Sequence, residues 1–214
     1  MASASSSFST SVPSDFVPRT VKTLLVGACG AGKTVFLTRH LTGEFEKRYI
    51  ETEEVQTSSL KFPSTVGEIV FDIHDHPGSC IIDGRIKRNN YDAAIVMFDV
   101  TSRVSFKEAN NYILIVRSRF PSIPIVLCGS KVDCVERKVK IIEISTSIRK
   151  NGVVFYDISA KSYYNFEKPF LSIVHSLIGS EINFVEREPL LPPEVTVTDE
   201  QIASWMEMAE ASEE

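Results

Sequence analysis

The sequence predicts an α/β fold: a doubly wound, mostly parallel six-stranded sheet with flanking helices, and one further helix at the C-terminal end. Three observations predict it. The apolar run "VKTLLV" (21–26) ends in "GACGAGKT" (27–34), a glycine-rich turn that opens the helical stretch "VFLTRHLTG" (35–43). Two short, almost purely apolar runs, "AAIVMFDV" (93–100) and "IPIVLCG" (123–129), read as parallel strands covered on both faces. Between such runs lie segments with apolar residues at helical spacing, so strands and helices alternate.

Residues 1–19, "MASASSSFSTSVPSDFVPR", are Ser-rich, broken by proline and aperiodic, and read as a disordered extension before a domain spanning 20–180. The first strand and turn lead into a helix that Gly43 stops. "TSSLKF" and "EIVFDIH" flank "PSTVG" and predict two paired strands joined by a turn. In "SRVSFKEANNYILIVRSRF" (102–120), Phe106, Ala109, Ile113, Val116 and Phe120 recur at helical spacing. "VVFYDI" (153–158) predicts the last strand. In the last helix, "NFEKPFLSIVHSLIG", Phe166, Phe170, Ile173, Val174, Leu177 and Ile178 share a face, and Pro169 requires a place in the first turn. Residues 181–214 form an acidic linker and a helix, "TDEQIASWMEMAEA" (198–211), with Thr198 or Asp199 as N-cap and Ile202, Trp205, Met206 and Ala209 on one stripe.

Composition narrows the function. No run approaches the about 20 apolar residues of a membrane span. The four cysteines have no zinc or disulfide spacing, as expected of reduced thiols in the nucleus and cytoplasm, and "ASEE" offers no cysteine for a prenyl anchor. From Glu181 onward ten acidic residues face one arginine, so the tail carries −9 of the net −5 and the rest of the chain +4. A basic body suits its own tail or acidic protein partners, although a solvated tail that touches nothing reads equally well.

The glycine-rich turn fits G-x-x-x-x-G-K-[ST]. Such a turn aims backbone N–H groups and a helix N-terminus at one spot, a phosphate site. Gly27 and Gly32 let the backbone wrap closely, with Cys29, Gly30 and Ala31 between them. Lys33 reaches the β/γ-phosphates, and the Thr34 hydroxyl can ligate Mg²⁺. "GSKVD" (129–133) and "ISAK" (158–161) each follow a strand. The Asp133 carboxylate can accept from guanine N1–H and the 2-amino group, which adenine cannot supply. The Lys131 stem can lie along the base, and the Ala160 N–H, between Ser159 and Lys161, can bond the guanine O6. Alone, each stretch is also readable as a solvated turn or a helix cap. "HDH" (74–76) resembles a metal pair, but H-x-H at a strand end is usually structural.

The segments "RHLTGEFEK" (39–47), "MFDVTSRVSFK" (97–107), "IPIVLCGSKVD" (123–133), "ERKVK" (136–140), "YDISAKSYYNFEKPF" (156–170) and "LLPPEV" (190–195) carry a resemblance. The chain resembles the Ras superfamily of small GTPases, and within it the Ran family of nuclear transport, over about residues 21–195. The resemblance implies a GTP/GDP switch with Mg²⁺ and roles at matching positions. Phe45 lies edge-on to the base. Thr52 ligates Mg²⁺ when the γ-phosphate is present, Asp75 holds Mg²⁺ through water, and the Gly78 N–H senses the γ-phosphate. Implied partners are importin-β-type transport receptors and Ran-binding proteins meeting a monomer, with no direct nucleic-acid or membrane contact.

Several positions depart from the family pattern. Ser79 stands where a glutamine orients the attacking water, so no catalytic residue is intact. Cys29 replaces a glycine beside the γ-phosphate. Ser130 replaces an asparagine that ties base loop to phosphate loop, which predicts weakened nucleotide binding. Glu54 replaces a switch I glycine. "CIIDGRIKRNNYD" (80–92) is two residues shorter than the family's switch II, which puts the binding of exchange and activating factors in question. Two functions follow as expectations: a slow GTPase, or a non-hydrolysing, nucleotide-dependent scaffold.

Overall fold

A computed structural model describes residues 20–46, 48, 51–78, 90–198 and 200–204. The expectations for residues 1–19, Ser79, the segment 80–89 and the C-terminal stripe from Trp205 onward lie outside the described residues.

The strands are β1 (Thr20–Gly27), β2 (Gln56–Ser64), β3 (Gly67–Asp75), β4 (Ala93–Asp99), β5 (Ile125–Ser130) and β6 (Val154–Asp157). They form one sheet in the order β2-β3-β1-β4-β5-β6. Only β2 and β3 pair antiparallel, through the turn at Thr65–Val66; the other pairs are parallel. The helices are α1 (Lys33–Thr42), α2 (Arg103–Arg119), α3 (Ile141–Asn151) and α4 (Lys168–Leu177). The two apolar runs read as doubly covered strands are buried along their length, as a sheet wrapped by crossover helices requires. The strand order reverses about β1, so the carboxyl ends of β1, β3, β4, β5 and β6 share one edge.

Two cores cover the sheet. On one face Phe36 of α1 and Phe170, Ile173 and Val174 of α4 pack with Phe62 and Phe71. On the other, Ala109, Tyr112, Ile113 and Val116 of α2 pack on Val96 and Phe98, with Ile144 of α3. Both helices start and stop where their end residues direct. Gly43 closes α1 in the left-handed region, and Ser102 caps α2 by accepting from the Ser105 N–H. Pro169 sits at the start of α4, where its missing N–H costs nothing.

The sequence reading assigns no element to α3. Its run "IIEISTSIRKN" carries Ile141, Ile144 and Ile148 at helical spacing, with Ile144 buried and the other two partly buried in the core shared with α2. Its ends are fixed as well. Glu143 accepts from the Lys140 N–H (3.0 Å), and Gly152 closes it at φ 60°.

Beyond α4 the chain folds back. Phe184 bridges to Ser64, Val185 donates to the Pro63 carbonyl (2.8 Å), and the Phe184 ring stacks on Phe62 (4.6 Å). Arg187 pairs with Glu167 (3.3 Å) and lies over the Phe62 ring. Residues 200–204 are helical, and Thr198 and Gln201 form a reciprocal cap. Thr198 was one of the two expected N-caps.

His40 stacks on Phe166 (3.8 Å between ring centroids) with Phe36, Phe62 and Phe170 around it, and donates from Nδ1 to the Phe36 carbonyl. Burial pushes its pKa down to about 3. The unfolded chain protonates this imidazole near its ordinary value of about 6.5, so between the two values the unfolded state holds the extra proton. This contribution to stability is complete above the unfolded pKa and falls with pH through that window, by at most about 1.4 kcal/mol per pH unit. His40→Phe should therefore shrink the drop in urea midpoint between about pH 7.5 and about pH 5. Equal drops in parent and variant contradict the assignment.

Candidate nucleotide site

The loop after β1 turns under β4. Gly27 has φ 148°, and a Cβ there would collide with the Met97 carbonyl oxygen, so the close approach itself requires glycine. Gly30 and Gly32 also take positive φ, and the Gly32 carbonyl accepts the first intrahelical bond from Phe36 (2.8 Å). The loop therefore ends on the N-terminus of α1, with Lys33 and Thr34 as its first residues. Lys33 is 6% exposed and donates to the Gly27 and Ala28 carbonyls (2.9 and 3.2 Å), lying across the mouth of the loop. The loop concentrates donors and positive charge at one point, which suits phosphate.

Three oxygen ligands meet beside it. Thr34 Oγ1 donates to Asp75 Oδ2 (2.7 Å) and stands 2.9 Å from Thr52 Oγ1. With the Thr34 proton on the carboxylate, Thr52 is the donor of that pair. Burial pushes the Asp75 carboxyl above its usual range, against the Thr34 bond and the Lys33 charge. Its buried Oδ1 has no hydrogen-bond partner. Two hydroxyls and a carboxylate with an unsatisfied buried oxygen are hard donors that fit Mg²⁺, which takes its remaining ligands from water and phosphate. The two histidines of "HDH" flank Asp75 and turn to another partner. His74 and His76 both contact the Tyr91 hydroxyl (3.3 Å each), and burial, with His74 and Lys33 nearby, holds His76 down to about 4. Among the described residues no three His, Cys, Asp or Glu side chains gather as a metal site.

The expected base loops stand at the same edge. Ser159 donates to Asp133 Oδ1 (2.7 Å) and accepts from the Lys161 and Ser162 N–H groups, so one hydroxyl orients the carboxylate and closes the Ala160 turn. Lys131 is left-handed (φ 64°) and its ammonium is held by Asp99 (2.7 Å), which fixes the direction of its stem. Burial opposes ionisation of Asp99, but the bonds from Lys131 and Thr101 hold its carboxyl below the usual range. Phe45 is half-buried, with the Arg39 guanidinium near its ring and against Tyr163 (5.9 and 4.3 Å).

One expectation needs correction. Ser130 does not break the tie between base loop and phosphate loop, because its buried hydroxyl reaches the Ala31 carbonyl (2.8 Å) and the Phe98 carbonyl (2.9 Å). The serine spans the gap because β5 delivers it directly beneath the loop. Sequence reading also missed three groups. Arg137 grips Asp157 with two bonds (2.7 and 3.1 Å), bracing the loop after Asp133 against the strand that leads to Ser159. Arg39, 2% exposed, donates to the Gly43 carbonyl and to the Pro192 carbonyl (3.0 Å) of the returning linker. Tyr112 donates to the Gly78 carbonyl (2.7 Å). Each pairs residues distant in sequence, and no local pattern marks them. Gly78 itself lies against the phosphate loop: a Cβ on it would fall 2.5 Å from Cys29 N and Sγ.

A phosphate loop, an oxygen cluster for Mg²⁺ and two base loops at one edge of this sheet define a P-loop nucleotide-binding domain. A sequence model of the Ras family matches residues 22–179, and the chain belongs to that family. It is a small GTP-binding switch protein; Ras-family proteins bind GTP and GDP, typically with Mg²⁺, and act as GTPases.

Ser130→Ala should release GDP about fivefold to tenfold faster, because one buried hydrogen bond to the loop is lost. Displacement of a fluorescent GDP measures this. An unchanged rate would mean that the Ser130 bond does not hold the phosphate loop.

Proposed function

We propose that the chain is a Ran-like GTP/GDP switch of nucleocytoplasmic transport whose hydrolysis is weakened. The phosphate-loop N–H groups and Lys33 bind the phosphates, Asp133, Lys131, Ser159, Ala160 and Lys161 select guanine, and Phe45 flanks the base. Thr34 and Thr52 would hold Mg²⁺ directly and Asp75 through water, and the ion would neutralise charge on the phosphate oxygens. Its partners are importin-β-type receptors and Ran-binding proteins, and it works as a monomer in nucleus and cytoplasm. The sequence resemblance through "LLPPEV" motivates the transport setting. The returning linker supports it: Glu194 donates to the Lys161 carbonyl (2.9 Å), so a partner that engages this segment acts on a base loop.

One observation carries the weakened hydrolysis. Cys29 is exposed at the phosphate site and its thiol abuts Gly78, so sulfur occupies room that an in-line water or a partner's arginine would need. Ser79 adds a second defect, since its hydroxyl is too short to hold that water. The same crowding favours the second reading, a scaffold that binds receptors without hydrolysing.

Single-turnover GTP hydrolysis, with and without a Ran-type activating protein, separates the two. The parent should be slow in both. Cys29→Gly and Ser79→Gln should each restore little, and together they should exceed the sum of the single effects, because both act on one transition state. No gain even in the double variant favours the scaffold. A parent rate typical of the family, unmoved by either change, contradicts the account of this loop. Capture of importin-β-type receptors by the protein loaded with a GTP analogue, and not with GDP, tests the transport assignment.

A further inference from the structure

Tyr112 lies in the middle of α2 among Ala109, Ile113 and Val116, 1% exposed, in a core where phenylalanine would pack as well. Its hydroxyl nevertheless reaches off the helix to the Gly78 carbonyl at 2.7 Å, a full-strength O–H···O distance. Gly78 follows β3 by three residues, after Asp75 and the ring of Pro77, and sits directly against Cys29 of the phosphate loop. Two of the groups around its Cα are thus fixed, one by contact with Cys29 and one by Tyr112. Pro77 restricts the approach of the chain from the other side. The Tyr112 bond restrains the peptide that follows Gly78, and the Gly78 N–H lies on the preceding peptide, from Pro77, so the bond acts on it only through the Gly78 Cα.

The same structure has Thr52 folded onto Thr34, so switch I is closed over the Mg²⁺ ligands while Gly78 is held by Tyr112. A glycine has the backbone freedom to turn its peptide between two orientations. A donor that engages only one of them shifts the balance by its differential bond.

We propose that the Tyr112 hydroxyl is a positioning group that holds Gly78 in the arrangement accompanying closed switch I, and so favours nucleoside triphosphate over diphosphate. Tyr112 touches neither phosphate nor metal; it acts through Gly78. This rests on the reading of the site as one for guanine nucleotides.

The experiment compares Kd for GDP and for a non-hydrolysable GTP analogue, with Mg²⁺, in the full-length parent and in Tyr112→Phe. The ring is kept, so the core stays filled. The analogue should weaken by about threefold to tenfold, the worth of one hydrogen bond, while GDP changes less than about twofold. The ³¹P resonance of the bound γ-phosphate should shift or split in the variant alone. A parent that binds both nucleotides, with a variant that keeps their ratio and the parent's resonance, overturns the inference alone. So does an equal loss for both nucleotides with a lower urea midpoint, which marks a packing role. A parent that binds neither guanine nucleotide overturns the reading of the site and the inference with it.

Discussion

The phosphate loop is held in place by two close approaches that require glycine, at Gly27 and Gly78, and by one buried hydroxyl. Gly27 passes under the Met97 carbonyl, Ala31 is tied to β5 by the Ser130 hydroxyl, and Gly78 closes against Cys29. The central strands β4 and β5 thus fix the loop's position, and the loop in turn directs the start of α1, which presents Lys33 and Thr34. The base loops, the Mg²⁺ ligands and Gly78 are all built around this fixed turn. A loop held this way has its N–H groups oriented before a ligand arrives, which lowers the ordering cost of binding.

The contiguous parts of this arrangement were legible in the sequence because each motif is a local event. A strand that ends in a G-x-x-x-x-G-K-[ST] turn and opens a helix points to a phosphate site, and the two short apolar runs match strands covered on both faces. What was hidden is what joins the motifs. The Ser130 hydroxyl and the Ala31 carbonyl are 99 residues apart, and by letter alone a serine in place of asparagine looks like a lost tie. Arg137 and Asp157 are 20 residues apart, and nothing in the sequence pairs them until the fold stacks their loops. Tyr112 was not singled out, since nothing in a helical period says where a hydroxyl points. α3 was legible too, since Ile141, Ile144 and Ile148 recur at helical spacing, and the sequence reading passed it over.

The returning linker gives Arg39 a meaning that the sequence lacks. A guanidinium 2% exposed calls for partners, and Arg39 finds the Gly43 and Pro192 carbonyls and the faces of Tyr163 and Phe45. One buried cation therefore joins the end of α1, the flank of the base site and the C-terminal segment. Further along, Glu200, Gln201 and Ser204 border a cavity of about 310 Å³ beside Asp133 and Arg137.

All of this depends on guanine being the ligand, and on Asp133, turned by Ser159, choosing it. The most direct measurement is competition on the full-length protein: GTP and ATP, each with Mg²⁺, against a bound fluorescent GDP. The account predicts that GTP displaces the probe completely at concentrations where ATP leaves it bound, because adenine offers the Asp133 carboxylate no pair of donors. Displacement by ATP and GTP at equal concentrations would contradict it.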